Sequence, residues 1–89
     1  MKIFKYQLPL SGGNIMMPHG AEILTAQIQN GTIMLWAQVY DDYEGVLEQR
    51  KFVILGTGMP VDDQIADGLW HIGTVQMGDF VWHIFENIN

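Results

Sequence analysis

The chain contains no cysteine and only one serine, Ser11. Without thiols there is no disulfide framework, no thiolate metal site and no cysteine nucleophile. Ser11 precedes Gly12-Gly13 in what reads as a flexible turn, not the strained strand-to-helix elbow that presents a hydroxyl nucleophile. A triad of Ser11, His19 and an aspartate has no support in spacing, and no enzymatic activity is expected. Cations are scarce as well, with four Lys and Arg against ten Asp and Glu for a formal charge of −6. Nucleic acid binding displaces condensed counterions with protein cations, so this balance argues against a nucleic acid partner. The longest apolar runs, residues 33–37 and 52–55, fall far short of the roughly 18 residues that cross a bilayer, and no membrane span is expected. The opening segment MKIFKYQLPL places Lys5 inside its short apolar stretch and shows no small-residue cleavage site. It does not read as a signal peptide, which makes the cytoplasm the expected location.

What remains is apolar for its size. Hydrophobic residues make up 48% of the 89 residues and charged ones 16%, too apolar a mixture for a disordered segment. A chain this short builds one domain, residues 1–89, because hydrophobic cores usually need about 100 to 150 residues each. Its pattern alternates with period two, is rich in β-branched and aromatic residues, and is cut by glycine-containing turns. Strands are expected near residues 2–9, 22–29, 32–40, 49–56, 70–76 and 80–86. A shorter apolar piece at residues 15–17 ends on Pro18 and belongs at an edge. The fold class is therefore all-β, a small antiparallel meander of five or six strands forming a sandwich or open barrel.

The strongest local signal is Asn30-Gly31, two residues that tolerate the positive φ of a type I′ hairpin turn. With that pair as the loop, Ile28 faces Ile33, Ala26 faces Leu35 and Leu24 faces Ala37. A three-residue loop with a bulge slips the register by one. Residues 41–48 read as an acidic loop, and residues 59–69 as a long loop with room for one helical turn. In the last hairpin, a turn at Gly78-Asp79 sets Val75 opposite Trp82, Thr74 opposite His83 and His71 beside Glu86.

Several constellations invite a functional reading. No two histidines have the i, i+4 spacing of a zinc protease, and His71 and His83 fall on the two arms of one hairpin with their sides unresolved. Asp41-Asp42 with Glu44, and Asp62-Asp63, lack the glycine and glutamate offsets of a calcium loop. No metal and no cofactor is expected. Gly56-Thr57-Gly58 closes a strand, where freed amides form an anion-binding concavity if they point outward, and Arg50 and Lys51 lie on the same strand. The aromatic residues Trp36, Tyr40, Trp70, Trp82 and Phe85 cannot all enter one small core. They suit stacking of a planar ligand, anchoring of a partner, or self-association of the chain.

The order KYQL, MPHGAEILTAQIQNG, LWAQV, FVILGTGMPVDD, HIGTVQ and VWHIFE resembles a family of small uncharacterised proteins found mostly in bacteriophages and prophages. The likeness runs along nearly the whole chain. It implies a small phage-type protein acting in the host cytoplasm, one of the accessory products that adjust host functions, and it identifies no ligand.

Two binding functions follow as expectations. One is a trap for an anionic nucleotide-derived signal in host defence. There Gly56, Thr57 and Gly58 receive phosphate, Arg50 and Lys51 supply charge, Trp36 or Trp82 stacks a base, and His83 completes the set. The other is an acidic inhibitor or adaptor that docks on a basic host protein. In it Asp41, Asp42, Glu44, Asp62, Asp63 and Asp67 steer the encounter, and Tyr40, Tyr43 or Trp70 anchors it. A structural virion component shares the features of the second.

Overall fold

The structure is a computed structural model and describes residues 1–88. Seven strands form: β1 (Lys2–Leu8), β2 (Gly13–Pro18), β3 (Glu22–Gln29), β4 (Thr32–Val39), β5 (Leu47–Gly56), β6 (Leu69–Met77) and β7 (Phe80–Asn87). They build two antiparallel sheets, ordered β1-β4-β3 and β2-β5-β7-β6, that do not close into a barrel. The all-β expectation holds, while the meander does not. The chain leaves the first sheet after β1, contributes β2 to the second, and returns for β3 and β4 before completing the second sheet. The first crossing turns at Gly12, whose amide donates to the Pro9 carbonyl at 2.8 Å.

Alternation explains the burial. On β4 the even-numbered side chains face out, while Ile33, Leu35, Ala37 and Val39 are buried. They meet Phe52, Ile54, Val75 and Ile84 from the other sheet, with Leu8, Met17, Ala21 and Ala26 completing one core. Each square ångström of apolar surface that this layer removes from water stabilises the fold by about 25 cal/mol. No tryptophan enters it: Trp36 and Trp82 are half-buried, and Trp70 remains 66% exposed.

The Asn30-Gly31 turn is the two-residue kind, with φ of 53° and 75° and with Gln29 paired to Thr32. Ile28 and Ala26 face Ile33 and Leu35 as expected. Beyond them a bulge intervenes, so Ile23 and not Leu24 lies opposite Ala37, and Leu24 is 48% exposed. A second bulge on β6, between His71 and Gly73, corrects another expected pair. Val75 and Thr74 do face Trp82 and His83, but His71 lies opposite Phe85 and Trp70 takes the place beside Glu86. Strand β5 also begins two residues earlier than expected, since Leu47 and Glu48 pair with Pro18 and Met17 of β2. The acidic loop shortens to residues 40–46 and carries a 3-10 turn at Asp41–Tyr43. One helical turn, α1 (Asp63–Ala66), interrupts the long loop, capped by the Asp62 carboxylate accepting from the Gln64 amide at 2.8 Å.

Strands β3 and β6 are the facing edges of the two sheets. They touch where Gly73 lies against the Ala26 backbone, and an added Cβ there would sit 3.6 Å from the Ala26 carbonyl oxygen. Toward the start of both strands the two bulges border a cleft of about 500 Å³.

Glycine at position 12 is required twice over. Its φ is +71°, and a Cβ would stand 2.6 Å from the Phe52 carbonyl oxygen. We expect Gly12→Ala to cost about 3 kcal/mol, combining left-handed strain with a backbone clash. Gly31→Ala, at φ +75° with open space around it, loses about 1 kcal/mol. Urea denaturation of the two variants measures the difference.

Candidate functional site

The turn that ends β5 is built from its own amides. The Gly56 N–H points to Met59 Sδ at 3.0 Å, the Thr57 N–H donates to the Val81 carbonyl at 3.2 Å, and the Met59 N–H returns to the Gly56 carbonyl at 3.0 Å. Gly58 takes the left-handed conformation the turn needs, with φ +87°. With two of those amides closing the turn and the Thr57 amide paired across to β7, the segment does not present the run of outward N–H groups that a phosphate cradle requires.

What the turn does make is an apolar concavity. Gly56, Thr57, Met59, Asp79, Phe80, Val81 and Trp82 line about 470 Å³ at the start of β7. Phe80 and Trp82 are two apart on one strand and therefore share a face. Their rings stack with centroids 6.1 Å apart and planes 29° apart. Gly56 lets Trp82 lie flat, because a Cβ would come 3.1 Å from its ring and 3.2 Å from Met59 Sδ. Phe80 is 66% exposed, and Asp79 is the one charged residue in the lining.

Behind this concavity, the outer face of the second sheet carries a chain of hydrogen bonds. Thr57 Oγ1 meets His83 Nε2 at 2.7 Å, His83 Nδ1 meets Thr74 Oγ1 at 3.0 Å, and that same hydroxyl meets His71 Nε2 at 3.1 Å. The β6 bulge is responsible. By adding one residue between His71 and Thr74, it turns His71 onto the face of Thr74 and His83, where its ring packs edge-on against Phe85 at 5.3 Å.

The site expected from the sequence is thus divided. Gly56, Thr57, Gly58, Trp82 and His83 come together at one end of the second sheet. Trp36 lies on the other sheet, in register with Lys5 and Thr25. Lys51 sits on the ladder between Asn14 and Asn87, five positions down β5 from Gly56. Arg50 faces the interior, where Nε and Nη2 grip both oxygens of Glu86 and Nη1 donates to the Ala21 carbonyl at 2.8 Å. Only 16% of the Arg50 side chain and 14% of that of Glu86 are exposed. Hydrogen bonding to Glu86, opposed by partial burial, holds this guanidinium protonated more firmly than usual. Its charge is matched by Glu86 at close range and by Glu48 at 3.6 Å. Ser11 and His19 do not converge, since Ser11 Oγ meets the Gly12 carbonyl at 3.5 Å and His19 Nδ1 meets Glu48 at 3.2 Å.

Asp79, Phe80, Met59, His71 and Thr74 were not among the expected site residues. Phe80 was legible, because the Phe80-Val81-Trp82 alternation places its ring beside that of Trp82. The bulge that recruits His71 leaves no mark in the hydrophobic pattern.

The Glu48 carboxyl is held below its ordinary value of 4.5 by the Gly20 amide first, then by His19 and Arg50. A depressed carboxyl contributes stability that is present above its unfolded value and lost as pH falls through the folded one. Glu48→Gln is therefore expected to lose less stability than the unmodified chain between about pH 5 and about pH 3, as read from urea midpoints. For the turn, Gly56→Ala pushes on the Trp82 ring. It is expected to shift the Trp82 indole resonance and to cost about 1 kcal/mol. Gly58→Ala should cost about as much through its positive φ alone and leave that resonance in place.

Searches of curated proteins and of solved structures return no match. The family comparison covers the whole chain, residues 1–89, and the protein belongs to the family described as Domain of unknown function (DUF7352).

Proposed function

We propose that the protein is a non-catalytic binding module that docks on a basic partner protein, taking a lysine or arginine side chain of that partner into the Phe80–Trp82 concavity. One observation carries the reading: an exposed Phe80 ring stacked on the half-buried Trp82 is joined by a single carboxylate, Asp79, and none of the chain's four cations lines the same space. A cation over an aromatic face gains about 0.5 to 2 kcal/mol, and the neighbouring carboxylate adds a charged acceptor for its N–H groups. An anion meets the reverse conditions there, with inward-turned amides and no free positive charge. The acidic residues Asp41, Asp42, Glu44, Asp62, Asp63 and Asp67 are all exposed, and a net charge of −6 speeds encounter with a basic surface. A phage or prophage origin, a partner in the host cytoplasm, and self-association through exposed strand faces belong to the same proposal.

Titration with short arginine- and lysine-rich peptides, followed by amide and indole chemical shifts, provides the test. Perturbations are expected around residues 79–82, with affinity falling as salt is raised. Trp82→Ala and Asp79→Asn should each weaken binding at least tenfold, or about 1.4 kcal/mol, while Trp36→Phe leaves it unchanged. Undiminished peptide binding by both site variants would overturn the proposal. So would binding of cyclic dinucleotides at this site in place of the peptides.

A further inference from the structure

We propose that the basic partner is held at two points, and that the cleft between the β3 and β6 bulges takes a second arginine from the same extended segment, about 20 Å from the first. The inference rests on the cation site at Phe80 and Trp82 and adds to it the shape of the partner. The starting observation is where the apolar surface gathers. Leu24, Trp70 and Ile88 are 48, 66 and 61% exposed, and all three border this one cleft of about 500 Å³. Single exposed hydrophobes need no explanation, whereas three around one cleft mark an interaction surface.

Charge decides what the cleft accepts. Arg50 and Glu86 line it as a matched pair, and Glu48 stands 3.6 Å from the same guanidinium. His71, the remaining basic group of the lining, meets the Thr74 hydroxyl through Nε2. Glu22 lines the cleft too, is exposed, and forms no ion pair among the described residues. The cleft thus carries one unmatched carboxylate together with an exposed indole. Arginine suits both, because its planar guanidinium stacks on an aromatic face and pairs both oxygens of a carboxylate, while its aliphatic stem covers apolar surface such as Leu24 and Ile88. An anion finds only a guanidinium that Glu86 already occupies.

The ladder sets the spacing. Trp70 lies opposite Glu86 and Phe80 opposite Met77, so the two sites are six positions apart along β7, or about 20 Å at about 3.3 Å per residue. Between them a shallow groove of about 460 Å³ follows the β3–β6 seam, walled by Thr25, Gln27, Thr74 and Gln76 and free of charged side chains. Gly73 against Ala26 closes the seam to insertion, so the partner segment lies over it. An extended segment fits this track, with two arginines six positions apart directed to one face, and the side-chain amides and hydroxyls of the groove suit its backbone. A helix, at about 10 Å across, is too wide to follow it. Holding two cations of one segment makes the second contact intramolecular, which tightens binding without strengthening either site.

The test uses the whole chain and two synthetic peptides of equal length and charge. One is Arg-Thr-Ser-Thr-Ser-Thr-Arg, and the other carries its two arginines only two positions apart. Calorimetry should show the six-spaced peptide binding at least tenfold more tightly, and it should shift the indole resonances of Trp70 and Trp82 together. Trp70→Ala and Glu22→Gln should each bring it down to the affinity of the two-spaced peptide. Met16→Ala, on edge strand β2 and 54% exposed, should leave both affinities unchanged. Circular dichroism verifies that each variant is folded. Equal affinity for the two spacings, or undiminished binding of the six-spaced peptide by both Trp70→Ala and Glu22→Gln, overturns the second contact, and shifts retained at residues 79–82 would then leave the first site standing. A peptide that moves Trp70 and leaves residues 79–82 in place overturns the two-point grip through its other member, the Phe80–Trp82 site.

Discussion

Two edge strands, β3 and β6, each carry one residue more than the partner they pair with, and the placement of nearly every exposed feature follows from those two insertions. At Leu24 the extra residue moves Ile23 into line with Ala37 and turns Leu24 outward. At Ile72 it exchanges the faces of Trp70 and His71, so that tryptophan stands beside Glu86 and histidine beside Phe85. A bulge bends its strand and increases the local twist. With one on each facing edge, the sheets part over the cleft and close at Gly73 against Ala26.

The cleft explains why the chain's only arginine is unavailable to a ligand. Arg50 alternates onto the inner face of β5 together with Phe52 and Ile54, too near the core to reach solvent freely. A charge so placed needs a partner of opposite sign and full hydrogen bonding, because unpaired burial costs several kcal/mol. Glu86 provides the partner, and the Ala21 carbonyl takes one more N–H. The result ties β5 to β7 and to the connection between β2 and β3, with Glu48, His19 and the Gly20 amide extending it outward. Polar residues on strands are often read as surface groups, yet in a thin two-sheet domain the inner face runs out to the rim. There, ion pairs take the place of aliphatic side chains.

Local rules made much of the fold legible. Asn30-Gly31 announces its hairpin through two positive φ angles, Pro18 marks β2 as an edge, and the Thr74–His83 register follows from the turn at Gly78-Asp79. Information of longer range was not legible. Nothing in residues 1–18 states that β1 and β2 belong to different sheets, since that depends on partners 25 or more positions away. The bulges escaped for another reason: inserting one residue into an alternating pattern looks the same as a strand with one outward hydrophobe. The candidate site shared that limit. Its glycine turn and Trp82 stood out by type, whereas grouping Arg50, Lys51 and Trp36 with them required faces and sheets that alternation alone does not specify.

The order of the strands also bears on how the chain reaches its fold. Hairpins β3-β4 and β6-β7 join neighbours through short turns, so loop closure costs them little. Strand β1 must find β4, pairing Lys2 with Val39, and β2 must find β5, pairing Gly13 with Phe52. Neither has a partner nearby in the chain. The first eighteen residues leave the ribosome before the strands they need. They remain unpaired until β4 and β5 are made, with Ile3, Phe4, Ile15 and Met17 open to other chains throughout that interval.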